Sequence, residues 1–282
     1  MKKIINRLLI ILLVIFSFFY TDKIISFLKQ YDPIMKQIKK TDKKYHLKSI
    51  DAKVIGNEII SGQNGKEIDY EKSFDKMKSY GTYNEALTVL KEVKPTISIT
   101  DTYDKYIIKG NPNNKNIAIV FKITKETNPT KILSIINYKK IPVTLFIDGL
   151  YLENHTSLIK KLSNHEIELL SYDSKTEEQF FKTSLSYLEA VTKKNAKYCY
   201  TEKDNEELLT MCKKLKLHTI KPTIVLNKNI YKEIKNNLSN SIIISLEINS
   251  SVEKELSTTI DYIISRGYKI TSLDELITED IS

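Results

Sequence analysis

Tryptophan is absent from the 282 residues, and glycine occurs seven times, proline six, histidine four and cysteine twice. No internal repeat, low-complexity tract or Gly/Ser linker interrupts residues 51–282, and at 41% hydrophobic and 28% charged the chain is neither disordered nor polytopic. No two of His46, His155, His165 and His218 have helical ligand spacing. Cys199 and Cys212 fall on an expected strand and the helix after it. An exported domain permits a bridge, but in a core of this size the pair is expected to pack as small apolar groups. A Cys nucleophile would need a neighbouring His, and only His218 is near in sequence.

Charge is not scarce, but it is uneven. The net charge of +9 first suggests nucleic acid, yet residues 1–50 hold 11 basic and 3 acidic residues, leaving +1 for the rest. A nucleic-acid footprint over the body is thereby excluded.

Lys2, Lys3 and Arg7 precede thirteen uncharged residues, Leu8 to Tyr20. With Ile4 and Ile5 the apolar span is about 17 residues, the short end of the transmembrane range. No small residues mark a cleavage site at Ser17-Phe18-Phe19-Tyr20, and no Cys follows to take a lipid. An uncleaved anchor through lipid at residues 4–20, with a cytoplasmic tip and the rest outside the cell, is expected. Residues 1–22 form this tip and anchor. Residues 23–50 read as a solvated basic stalk broken at Pro33, or as a basic collar on anionic lipid or wall polymer.

Residues 51–114 read as a small α+β section. A hairpin turn is expected at Asn64-Gly65, helices over Tyr70–Tyr80 and Glu85–Val93, and strands over Thr96–Ile99 and Tyr106–Ile108. From Asn116 the pattern becomes strand–helix alternation. The strands are Ile117–Ile123, Val143–Ile147, Ile167–Ser171, Lys197–Tyr200, Ile242–Ile248 and Tyr268–Thr271, with short strands near Thr219 and Ile224–Leu226. Capping boxes begin at Thr176, Asp204, Ser250 and Ser272. Repeated βα units over 115–282 imply a parallel sheet or barrel.

The order and spacing of four stretches carry a resemblance. They are Ile117–Phe121 with Asn128-Pro129-Thr130; Val143–Gly149 with Leu158–Leu162; His165-Glu166-Ile167-Glu168; and Ile243–Leu246 through Arg266-Gly267-Tyr268 to Leu276. Together they resemble the polysaccharide deacetylase (NodB-homology) family. The resemblance implies a distorted (β/α) barrel and removal of acetyl groups from wall sugars with a divalent metal such as zinc.

It fails where the family's chemistry sits. The positions of the two aspartates, one base and one metal ligand, read Lys122 and Ile123. The two metal-binding histidines match Leu170 and Ser174, the orienting arginine falls near Cys199, and the late histidine falls at Glu247. Ile and Leu offer a metal nothing. No metal and no other cofactor is expected, though Asp148, His155, His165 and Asp173 offer one alternative ligand set.

Barrel enzymes act at the C-terminal ends of their strands. That rim would present Lys122, Thr124, Asp173, Ser174, Tyr200 and Glu247, with Lys122, Asp173, Tyr200 and Glu247 as candidate ligand-binding residues. Lys122 and Glu247 are expected either to close the old site as a salt bridge or to be solvated. Tyr151, Tyr172 and Tyr200 stand near strand ends, as sugar platforms or as ordinary core and rim. The expected protein is a membrane-anchored, extracellular deacetylase-like pseudoenzyme that binds peptidoglycan, another wall glycan or an envelope protein. The alternatives are a hydrolase with a rebuilt site and a purely structural module.

Overall fold

The computed structural model describes residues 11–13, 16–17, 23–24, 27–162, 164–171 and 178–281. Most of the expected anchor at 4–20, and the candidates Tyr172, Asp173 and Ser174, lie outside the described residues. No helix among the described residues is long and apolar enough to cross a membrane.

In chain order the first elements are α1 (Pro33–Tyr45), β1 (Lys53–Ile55), β2 (Glu58–Ile60), β3 (Gly65–Ile68), α2 (Tyr70–Tyr80), β4 (Leu90–Val93), β5 (Tyr106–Lys109), β6 (Asn116–Ile123) and α3 (Thr130–Lys139). There follow β7 (Thr144–Ile147), α4 (Gly149–Asn154), α5 (Thr156–Lys160), β8 (Glu166–Leu169), α6 (Glu178–Thr192), β9 (Tyr198–Tyr200) and α7 (Glu206–Lys214). The last are β10 (His218–Ile220), β11 (Ile224–Leu226), α8 (Ile230–Asn237), β12 (Ile243–Leu246), α9 (Ser250–Ser265), β13 (Lys269–Thr271) and α10 (Leu273–Ile277).

Two compact units emerge, and they do not divide the chain at 50 and 114. One takes the described residues up to Ser49 together with Gly65–Val93; the other takes Ile50–Asn64 and Lys94 onward. The first contains no open stalk. The helical run does break before Pro33, with Asp32 non-helical after residues 27–31, and Pro33 then starts α1, because its missing N–H costs nothing at the first helical position. Asp32 caps that helix through the Ile34 amide at 2.9 Å. Met35 and Ile38 then bury against Ile68, Phe74 and Met77.

Beside them β3 pairs antiparallel with β4 over Gly65↔Val93 to Ile68↔Leu90. The expected helix over Glu85–Val93 is therefore replaced. Only Glu85–Leu87 turns, as a 3₁₀ helix capped by Asn84, and the stretch beyond it gains its backbone partners from β3. Nor is Asn64-Gly65 the hairpin turn. The two-residue turn is Gly56-Asn57, with Gly56 at φ 59, joining β1 to β2. Gly65 is needed for closeness instead: a Cβ there would lie 2.6 Å from the Leu47 carbonyl oxygen.

In the second unit, one sheet runs β1-β2-β5-β10-β9 and the other β11-β12-β6-β7-β8, with β13 paired to the start of β6. Apart from the β1–β2 hairpin their pairings are parallel. This architecture is the expected α/β class with parallel sheets; the expected transmembrane helix is not seen among the described residues. The strand Tyr106–Lys109 sits between β2 and β10, so residues 51–64 and 94–114 belong with the sheets that follow, while Gly65–Val93 belongs to the other unit. Thr96–Ile99 is not a strand: Ile99–Asp101 forms a 3₁₀ turn capped by Ser98.

Strand alternation sorts the side chains into two cores. Ile117, Ile119, Phe121, Leu145, Ile147, Leu169, Cys199, Ile244 and Leu246 face the helices. Ala118, Val120, Phe146, Leu170, Tyr198, Tyr200, Ile220, Ile107 and Ile243 face one another, with Leu273, Leu276 and Ile277 of α10 among them.

Between β8 and β9 no backbone ladder forms among the described residues, and side chains link the two strands. Glu168 Oε2 accepts from the amides of Lys197 and Tyr198 at 2.9 and 3.1 Å. Ser171 Oγ donates to the Tyr200 carbonyl and accepts from its amide, both at 2.8 Å. Glu168 is buried beside Glu166, whose carboxylate accepts from the amides of Leu273 and Asp274.

Desolvation, then repulsion from Glu166, pushes the Glu168 carboxyl well above its ordinary 4.5, while the two amides and Lys197 oppose the shift. Glu168 holds its proton more tightly folded than unfolded. The stability it contributes is complete below about pH 4.5 and is lost as pH rises through the raised value. Urea midpoints followed from about pH 4.5 to about 8 should fall more steeply for the parent than for Glu168→Gln. Parallel profiles would show that Glu168 does not titrate in this way.

Candidate functional site

The strand ends of the second unit surround a cavity of about 550 Å³. It lies just past β6, β8, β9 and β12, the end of a parallel sheet where ligands bind in this architecture. Lys122, Leu170, Ser171, Tyr200, Glu202 and Glu247 line it, with Thr124, Glu126, Thr127, Asn128, Thr201, Ile248, Asn249 and Glu253 around the mouth. Three of the four candidate ligand-binding residues, Lys122, Tyr200 and Glu247, are thus brought together. The fourth, Asp173, lies outside the described residues.

Lys122 is not paired with Glu247. Its ammonium forms an ion pair with Glu202, both side chains being partly buried, and stands 5.9 Å from the centre of the Tyr200 ring. Tyr200 OH donates to Glu202 Oε1 at 3.0 Å and lies 2.6 Å from Ser245 Oγ. A phenol has one proton, so the Ser245 hydroxyl donates to it. Burial pushes the Tyr200 phenol far above its ordinary 10, which keeps it a neutral donor.

Glu202 is therefore the hub of the site, and sequence reasoning missed it. Its only signal was a charge two residues beyond a strand ending in Tyr200. It displaces Glu247 because the β9 loop carries it onto the Tyr200 hydroxyl.

Four glutamates and one lysine line the cavity. Glu202 is matched by Lys122, and Glu253 meets Lys131 at 3.1 Å. Glu126 and Glu247 enter no ion pair among the described residues. The described lining residues therefore carry uncompensated negative charge, among hydroxyl and amide groups.

The family's metal does not fit the described residues. Position 122 offers an ammonium and position 170 a buried leucine. Ile123 is fully buried on the helix side and cannot reach the cavity. No group of three or more His, Cys, Asp and Glu that could hold a metal ion occurs among the described residues. Among the described residues the alternative set, less Asp173, forms no such group. Asp148 caps α4 through the Leu150 amide at 2.8 Å, His155 stacks on Tyr151 at 4.0 Å, and His165 Nε2 meets Asn137 Oδ1 at 3.1 Å. Tyr151 belongs to the helix-side core.

Cys199, expected near the arginine position, also faces the helices. Tyr198 and Tyr200 point inward, so alternation turns Cys199 out onto α7, where it is bridged to Cys212 with a Cα–Cα distance of 6.4 Å. The expectation of two small apolar thiols is overturned, and with it any Cys199 nucleophile. His218 instead stacks on Tyr103 at 4.2 Å.

These sheets and this strand-end cavity have the fold of the family 4 carbohydrate esterases, the polysaccharide deacetylases. The structure of a CE4 family pseudoenzyme from Bacillus anthracis, BA3943, matches with TM-score 0.64 at 20% identity, covering 89% of this chain and 97% of that one. A mutant of that pseudoenzyme described as having restored enzymatic activity matches with TM-score 0.65, at 20% identity, over 89% of this chain and 100% of that one. PdaA of Bacillus subtilis, a family 4 carbohydrate esterase, matches with TM-score 0.54 at 21% identity over 62% of this chain and 85% of that one. In sequence, the chain is 28% identical over 146 residues to the uncharacterised protein YlxY of Bacillus subtilis, a match covering 50% of this chain. That match spans just under half of YlxY, 46% of its length. No family model matches the chain.

Proposed function

We propose that this is a membrane-anchored, outward-facing deacetylase-like protein that binds wall glycan in the strand-end cavity without removing acetyl groups. One observation carries the reading. The described cavity-facing position that the resemblance gives to the general base holds Lys122, already paired with Glu202, and one that it gives to a metal ligand holds Leu170. A hydrolytic water there would meet an ammonium in place of a base at position 122, and the leucine at position 170 offers a Lewis acid no ligand. The Thr, Asn, Ser and Tyr groups of the lining suit the hydroxyls of a sugar, and peptidoglycan is the glycan at hand outside a bacterial membrane. The Cys199–Cys212 bridge supports export, because disulfides persist in oxidising compartments. Lys2, Lys3 and Arg7 before Leu8–Tyr20 support an inside-facing tip and a single crossing.

Elemental analysis of the full-length protein in detergent tests this together with acetate assays on an N-acetylated glycan. We expect no stoichiometric zinc, no acetate, and retention on purified peptidoglycan that weakens when Tyr200 is changed to Ala. Stoichiometric zinc with acetate release would establish a rebuilt hydrolase instead. Absence of retention would point to an envelope protein partner or a structural role.

A further inference from the structure

The first compact unit carries two exposed surfaces, one apolar and one basic, among its described residues. Residues 23–24 and 27–31 are helical. Ile24, Phe27, Leu28 and Tyr31, at spacings of three and four, are 51%, 58%, 62% and 60% exposed. Phe27 and Tyr31 lie with ring centres 5.0 Å apart, so they share a face. Lys29 belongs to another face and is held by Glu71 and Asp75 at 2.9 and 3.0 Å. The segment is therefore fixed by its charged side, and the apolar stripe is left in water.

The second surface is on α1. Lys36, Lys39, Lys40 and Lys43 fall within about 100° of the helix circumference, away from the buried Met35 and Ile38. All four are exposed and enter no ion pair among the described residues. The acids that could neutralise them are committed elsewhere. Asp32 caps the helix and pairs with Lys78, and Asp42 is hydrogen-bonded to Tyr70, whose phenol is pushed up to about 12, chiefly by burial.

We propose that these two stripes bind the surface of an anionic phospholipid bilayer, the apolar one at the acyl boundary and the lysines on headgroup phosphates. Exposed apolar residues followed in the chain by unpaired lysines are the composition of an interfacial segment. A soluble wall polyanion would engage the lysines but has no use for Ile24, Phe27, Leu28 and Tyr31. The uncharged run Leu8–Tyr20 ends four residues before Ile24, which keeps the stripe within reach of the bilayer that run would enter. The inference rests on the anchored reading above, and alkaline carbonate extraction tests that reading separately.

The full-length protein, reconstituted in phosphatidylcholine vesicles with or without phosphatidylglycerol, would be acetylated briefly with a water-soluble reagent and each lysine quantified by mass spectrometry. On vesicles containing phosphatidylglycerol, Lys36, Lys39, Lys40 and Lys43 should react about tenfold more slowly than on phosphatidylcholine alone. Lys115 and Lys228, in the other unit, should not change. Phe27→Ser with Leu28→Ser should remove most of the protection. Equal labelling on both vesicles would overturn the proposal even where carbonate extraction shows an anchored protein. Protection by soluble polyphosphate as strong as by vesicles, and indifferent to Phe27→Ser with Leu28→Ser, would overturn it in favour of a wall polymer.

Discussion

Replacing Cys199 and Cys212 together by Ala should lower stability by about 3 kcal/mol, the chain-entropy cost of releasing a loop of this length. The bridge closes a separation of 13 residues, from β9 out to α7. Both cysteines are fully buried in the helix-side core, beside Leu208 and Leu217. The melting temperature should fall by roughly 6–12 °C for a unit of this size. Reductant should produce the same fall in the parent and none in the double variant. Two buried thiols packed as small apolar groups would behave otherwise, with no response to reductant. Coincident melts of oxidised and reduced parent would sink the bridge.

Glycan carrying free amines should be retained about tenfold more tightly than the same glycan fully N-acetylated. Charge-assisted hydrogen bonds give about 1.5–3 kcal/mol, and the lower end applies because Glu247 is exposed. The reason lies in the uneven pairing of the lining. Lys122 is spent on Glu202, whereas Glu126 and Glu247 have no cationic partner among the described residues. Among the described lining residues an ammonium can approach two carboxylates that have no cationic partner, whereas an acetamido oxygen finds no free positive charge. The preference should shrink as salt is raised, since exposed pairs are screened. Glu126→Gln with Glu247→Gln should abolish it while leaving binding of the N-acetylated form unchanged. Equal retention of both glycans by the parent protein would refute this reading of the cavity.

Much of the second unit was legible because its signals are local. Ile117–Phe121 is a run too apolar for any place but a doubly covered strand, and β6 is paired on both sides. Ser272 was readable as a cap, and it accepts from the Glu275 amide. At two other helix starts the acceptor is one residue from the one expected: Asn205 rather than Asp204, and Asn249 rather than Ser250. Either neighbour can cap, and only tertiary packing chooses.

What was not legible depends on distant partners. Nothing near Tyr106 announces that β5 will pair with β2 and β10, and nothing near Leu90 announces β3. The disulfide was within reach. Tyr198 and Tyr200 as inward residues force Cys199 toward the next helix, where Leu208, Leu209 and Cys212 share the buried face. Lys122 was correctly placed at the rim, but its partner came from a loop whose path no periodicity records.

The missing ladder between β8 and β9 has a consequence for how this cavity can vary. Ser171 both lines the cavity and grips the Tyr200 backbone from across the gap. At the cavity wall the two strands are thus latched by one hydroxyl, with Glu168 gripping β9 further along, where an ordinary sheet would rivet them with a row of amides. A single codon at position 171 can unlatch or refit the doorway without unpicking any strand.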